Sequence, residues 1–257
     1  MGFKGQLIAL YTIVRKEVVR IVRIWVQTVV PPVITMTLYF IIFGNLIGRR
    51  IGEMGGFEYM QYMAPGLIMM SVITNSYGNV VSSFFAAKFQ GHLQEMLVAP
   101  VSSHVIILGH VIGGIFRGVL VGGVVTIVAL FFTELQVQNP LIAFSILILT
   151  ATVFSLAGMI NAIFARKFDD VAIIPSFVLG PLTYLGGVFY TISLLPDFWA
   201  RISAFNPILY MVNGFRYGML GVSDIDITMA FTIIIVFVVL AFATCYYLIC
   251  KGIGIRE

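Results

Sequence analysis

At 257 residues, with 60% hydrophobic and only 10% charged residues, the chain holds less than half the roughly 25% charge content of an average soluble domain. A soluble core cannot absorb that much apolar surface, so a water-soluble enzyme or binding module is excluded. The net charge of +4 gathers in short loops on one side of the apolar segments and calls for no nucleic-acid partner.

Apolar runs of about 20 residues or more, enough to cross roughly 30 Å of hydrocarbon as helix, predict an all-α polytopic membrane protein with six transmembrane helices. The spans fall at about 25–47, 59–85, 104–133, 141–165, 171–190 and 229–250, within one transmembrane domain over 1–257. Residues 1–24 precede them. In RKEVVRIVRIW (Arg15 to Trp25), Lys16, Arg20 and Arg23 share one helical face, with Val18, Val19, Val22 and Trp25 mostly elsewhere. That pattern suits a cytoplasmic helix lying in the interface against lipid, or simple positive-inside anchoring. The basic stretch is too long for an n-region and no small-residue cleavage site follows, so no cleavable signal peptide is expected.

In the first span, Pro31 and Pro32 remove two amide donors and predict a kinked or broken helix. Broken backbone at membrane depth survives only against protein or a water-filled cavity. After the second span, FQGHLQEMLVAPVSSHV has helical periodicity. Leu93, Met96 and Leu97 make one apolar stripe, Gln90, Gln94 and Glu95 project elsewhere, and Pro100 stops the helix. A short cytoplasmic helix over 86–100 follows, which either docks into a groove on a soluble partner or rests on lipid.

The third span carries Gly114, Gly118 and Gly122 at four-residue spacing, with Gly109, Gly113 and Gly123 nearby; such small faces let helices approach closely. Arg117 sits among them, at a cost of about 2.5 to 3.5 kcal/mol if central. With no acid at matching depth in any span, its partners are carbonyls, Asn75, Asn79, Asn161 or cavity water. It is either a structural tie or the lining of a path for an anionic group. Asp169 and Asp170 directly follow Arg166 and Lys167, as in a solvated loop. The segment from Gly186 to Arg216 is apolar in pieces too short to span, interrupted by Pro196 and Pro207, and reads as outer re-entrant or interfacial helices over 190–216. Cys245 and Cys250 in the last span read as membrane-buried thiols, not a disulfide framework.

Lys4, Arg15, Lys16, Arg20, Arg23, Lys88, Arg166, Lys167, Lys251 and Arg256 lie on one side of the spans, against Arg49, Arg50, Arg201 and Arg216 on the other. The richer side is cytoplasmic, and with an even number of spans both termini lie there. No GxxxxGK[ST] loop occurs, so the chain is not expected to bind ATP itself. His92, His104 and His110 show no HExxH pattern, and no metal site is expected. Nothing in the residue pattern argues for catalysis.

The passage GHLQEMLVAPVSSHVIILGHV resembles the coupling-helix region of ABC-2 type export permeases. PLTYLGGVFYTISLLPDFWARISAFNPILYMVNGFRYGMLG resembles that family's second signature, with its Gly-Gly, Leu-Pro, Asn-Pro, Tyr and Arg in order. The resemblance runs over essentially the whole chain. It implies an ABC-2 type transmembrane domain in the bacterial cytoplasmic (inner) membrane, pairing with a second copy. Two copies of a separate ATP-binding subunit would carry the ATP and Mg, leaving this chain without a cofactor. By that resemblance Gly91, Leu93, Glu95, Leu97 and Pro100, with Met96 in the same stripe, couple to the ATPase. Pro196, Asn206, Pro207, Tyr210 and Arg216 shape the outer gate. The rival reading is a self-contained secondary transporter or channel, which would usually show intramembrane acids and repeat symmetry.

Overall fold

The structure is a computed structural model that describes residues 2–255, and their side chains except at 45, 46 and 49. Arg256 and the Arg49 side chain, both counted above for orientation, lie outside the described residues. Helix α1 (Phe3–Arg23) runs along the bundle and breaks at Ile24 into α2 (Trp25–Tyr39), which continues as a π-helical segment (Phe40–Gly48) and a short turn, α3 (Arg49–Ile51). A small hairpin follows, β1 (Glu53–Met54) against β2 (Phe57–Glu58), an exception to the all-α expectation. It closes on Gly55 and Gly56, both at positive φ, which a two-residue hairpin turn demands.

Next come α4 (Tyr59–Phe89), α5 (His92–Val98), α6 (Ser103–Ala129) and α7 (Pro140–Phe164). After them lies a helical stretch made of α8 (Phe168–Ile174), a π-helical segment (Pro175–Leu179) and α9 (Gly180–Tyr184). The chain then passes a 3₁₀ turn (Ile192–Leu194) to α10 (Asp197–Ala204), α11 (Pro207–Leu220) and α12 (Ile227–Lys251). The core is α4, α6 and α7 packed on one another, with α11 and α12 against α7 and α1 against α6.

Among the described residues, four helices are long and apolar enough to cross a membrane: Trp25–Gly44, Ser103–Ala129, Pro140–Phe164 and Ile227–Lys251. Of the other two predicted spans, α4 has the length but is diluted by polar residues: Ser71, Ser76, Asn79 and Ser83 are buried in the bundle, Asn75 is half-buried, and Thr74 and Ser82 are exposed. The segment predicted at 171–190 is helical only as far as Tyr184 and is interrupted at Pro175. The break expected at Pro31 and Pro32 does not occur: α2 is helical through both. The two missing amides deprive only the carbonyls of Gln27 and Thr28, of which Gln27 borders an open crevice while Thr28 is buried. The close-packing glycines find partners within the chain. A Cβ at Gly122 would meet Val72 at 2.8 Å and one at Gly114 would meet Val80 at 2.7 Å, both on α4. On another face, Gly109 and Gly113 receive Ile13 and Glu17 of α1.

Candidate functional site

The helix predicted over 86–100 occupies only His92–Val98, about 10 Å of helix. Residues 86–89 finish α4, and Gly91 turns the chain with φ +80°, a conformation that side-chain-bearing residues rarely adopt. Four long-range hydrogen bonds set the posture of α5. The Gln6 amide at the start of α1 donates to Pro100 O (3.0 Å) and accepts from Ser102 N (3.0 Å). At the end of α4, Lys88 Nζ donates to Ile163 O (2.6 Å) and Ala165 O (2.8 Å), carbonyls that the end of α7 leaves without helical partners.

The apolar stripe of α5 points the other way from what docking requires. Leu93 is 1% exposed, within the chain's own core, and Met96 and Leu97 are half-buried against that core. What α5 presents outward is His92, Gln94, Glu95 and Val98, the last 88% exposed. The stripe was read at the correct period, but a stripe does not say which body it packs on.

Glu17, which has no role in the motifs above, is fully buried. Its carboxylate takes the Arg20 guanidinium at 2.8 Å and a short hydrogen bond from the Ser83 hydroxyl of α4, while Arg20 also donates to Asn79 Oδ1 (2.8 Å). Burial raises the Glu17 carboxyl, but the facing His110 ring, Arg20 and Ser83 outweigh burial and hold it below the ordinary carboxylate range. The signal was present in phase: Ile13, Glu17 and Ile21 recur every four residues and form the buried stripe of α1, while Val19 and Val22 are exposed. Thus α1 is not only an interfacial helix; it is bolted to α4 and α6.

At the opposite end, Asn206 caps α11 by accepting from Ile208 N (3.0 Å), with Pro207 at the first helical position. Asn206 Nδ2 donates to Leu182 O (2.6 Å), and Tyr210 Oη donates to Ala204 O (2.8 Å), so α10 and α11 fold as a hairpin led by Pro196. Arg216 was counted as an outer loop charge; it is 0% exposed. It donates to Gly187 O (2.7 Å), Tyr62 O (3.3 Å) and Asn213 Oδ1 (3.3 Å), and its guanidinium lies 4.0 Å from the Tyr62 ring centroid. Asp224 completes the cluster, accepting from Thr191 Oγ1 (2.9 Å) and Tyr62 Oη (3.4 Å). Arg216→Met removes three hydrogen bonds and the ring contact, and should cost about 3 kcal/mol. Arg216→Lys keeps the charge without the planar fork and should fall between. Thermal unfolding of the purified protein checks the order.

The three asparagines considered for Arg117 are divided among other tasks. Asn79 serves Arg20, and Asn161 donates to Tyr77 Oη (2.8 Å) and Val171 O (3.3 Å). Only Asn75 shares a crevice with Arg117. His92, His104 and His110 are not brought together: His104 stacks on Tyr246, while His110 is buried with its ring edge to Phe84. Cys245 is buried in protein and Cys250 is exposed. Asp170 is no mere loop charge: it accepts the amides of Arg166 (2.8 Å) and Lys167 (3.0 Å) at the start of α8, which holds its carboxyl below the usual range.

The profile of the ABC-2 type transporter family matches residues 8–220. The chain is 58% identical over 250 residues to the inner membrane transport permease YadH of Escherichia coli K12, covering 97% of this chain and 98% of that protein; the Shigella flexneri YadH matches equally. Nodulation protein J of Neorhizobium galegae is 25% identical over 207 residues, 80% of this chain and 79% of that one. An all-but-complete overlap at such identity, on a helical bundle with a short helix projecting between α4 and α6, decides against a self-contained carrier: the chain belongs to the ABC-2 type transporter family and is the membrane subunit of such a transporter.

Proposed function

We propose that this chain is the permease of an ATP-driven exporter in the bacterial cytoplasmic membrane, working as two copies with two copies of a separate ATP-binding subunit. ATP and Mg sit on that subunit. Both termini and α5 face the cytoplasm, and α4 together with the Phe168–Tyr184 stretch completes six crossings. The observation that carries the reading is α5 itself: a short helix with a solvated outer face, held by its inner face to the bundle and tied to α1 through Gln6. A push on such a helix reaches α1 and α4 directly, and α7 through Lys88. Gly91, Leu93, Met96, Leu97 and Pro100 keep its posture, while Glu95 and Val98 meet the ATPase. Pro196, Asn206, Pro207, Tyr210 and Arg216 seat the α10–α11 hairpin as the outer gate.

Pairing of two copies is supported by a polar strip on the bundle's outside. Thr74, Gly78 and Ser82 of α4 recur every four residues beside Gln27 and Thr35 of α2, and the four side-chain-bearing members are exposed. Polar surface at membrane depth needs protein or water over it, and a second copy laid across this strip would enclose a polar path.

The test is co-purification of an ATP-binding subunit, identified by mass spectrometry, with tagged permease. Val98→Asp places a charge on a surface residue and should leave membrane yield unchanged while losing most of the ATPase. Glu95→Ala removes one polar contact of about 1 to 3 kcal/mol and should weaken retention in part. Full retention by Val98→Asp would remove α5 from the docking surface.

A further inference from the structure

Among the described residues four cations stand inside the bundle, and three are spoken for. Arg216 has its three acceptors and the Tyr62 ring, Arg20 has Glu17 and Asn79, and Lys88 has the carbonyls at the end of α7. Arg117 differs. It lies midway along α6, its Nε is buried without a hydrogen-bond partner, and among the described residues no carboxylate pairs with it. The charge bearing on it is another cation, Arg20.

Its side chain lines a crevice of about 330 Å³ between α2, α4 and α6. The polar groups there have distinct duties. Asn75 Nδ2 is spent on Ser71 O and the Thr74 hydroxyl on Met70 O, whereas the Gln27 amide and Thr35 hydroxyl have no partner among the described residues and remain donors. Pro31, Pro32, Met36 and Met70 supply an apolar wall. A guanidinium with an amide N–H and a hydroxyl beside it, and no acid to satisfy it, is a receptor for an oxyanion; the apolar wall suits a hydrocarbon tail.

We infer that the Arg117 crevice binds an oxyanionic group of phosphate type, so that the transported substrate carries such a group through mid-membrane. This rests on the transport reading above and names its substrate class. The group belongs either to an amphiphile or to a free anion, and both give the same chemistry at Arg117.

The experiment measures equilibrium binding of radiolabelled dodecyl phosphate to the full-length permease in phosphatidylcholine nanodiscs, with dodecyl glucoside as the neutral amphiphile of equal tail. Saturable binding is expected, with the glucoside at least about tenfold weaker, since it leaves the guanidinium unanswered. Arg117→Met should weaken dodecyl phosphate about tenfold or more and Arg117→Lys about threefold, as charge survives without the fork. If Arg117→Met is lost from the membrane, Thr35→Val reads the same site from an exposed position, with about threefold weakening expected. Competition by inorganic phosphate assigns the site to a free anion; no competition assigns it to an amphiphile, and each supports the inference. Equal binding of the glucoside, or unchanged binding in Arg117→Met or in Thr35→Val, overturns it. Failure of the wild-type permease to retain an ATP-binding subunit strikes at the transport reading instead, and the binding measured on the permease alone still decides the oxyanion site.

Discussion

Leu93→Asp is expected to abolish membrane accumulation of the chain. The position is 1% exposed and set in the main core cluster, so a carboxylate there is either ionised in apolar surroundings or protonated at the expense of its own titration. Either costs several kcal/mol, a large share of a typical stability of about 5 to 15 kcal/mol. Leu97→Asp, at a half-buried site, should give an intermediate yield, and Val98→Asp a normal one. Quantified membrane yield across the three, in parallel with ATPase retention, separates a helix that folds onto its own bundle from one that is free to leave it. Normal yield of Leu93→Asp would mean that α5 is detachable.

Glu17→Ala should release α1. Arg20 keeps only Asn79, the Ser83 hydroxyl and His110 lose their carboxylate, and a void opens against Gly113. Breaking a buried pair from one side costs about 3 kcal/mol. Glu17→Gln preserves shape and one acceptor and should lose about half of that. The readout is hydrogen exchange along Phe3–Arg23 together with tryptic cleavage at Arg15, Lys16 and Arg20. Protection equal to wild type in Glu17→Ala would leave the carboxylate without a role in seating the helix.

Much of the architecture was legible because hydrocarbon thickness imposes length: the runs at 25–47, 104–133, 141–165 and 229–250 each contain a helix apolar enough to span. As site residues Asn206 and Pro207 entered through the family resemblance alone, although an asparagine before a proline is also the helix-start signal that α11 uses. The departures have physical causes. α4 falls outside the apolar-run rule because it carries polar residues, most of them buried in the bundle, and the Phe168–Tyr184 stretch because it is short and winds through a π-helical segment from Pro175. Pro31 and Pro32 were read from lost donors alone, though only the carbonyls of Gln27 and Thr28 are deprived. Arg216 was invisible as a buried charge because its partners Gly187 and Tyr62 lie far off in sequence; Glu17 has Arg20 three residues on, and its burial was readable from the phase it shares with Ile13 and Ile21.

The glycines of α6 fix more than distances. One face of the helix receives Val80 and Val72 of α4 at Gly114 and Gly122, while another admits Ile13 and Glu17 of α1 at Gly109 and Gly113. Longer side chains act as a cushion that lets neighbouring helices slide or roll; here the cushion is missing on two sides. Helices α1, α4 and α6 must therefore move as one rigid block, and displacement of α5 becomes a lever on that whole block. Flexing is left to the π-helical turn at Pro175–Leu179, where a wider helical winding already departs from ideal geometry; the other π-helical segment, Phe40–Gly48, is locked in its turn, since a Cβ at Gly44 would meet Met60 at 2.5 Å. The chain thereby divides into a piston and a hinge.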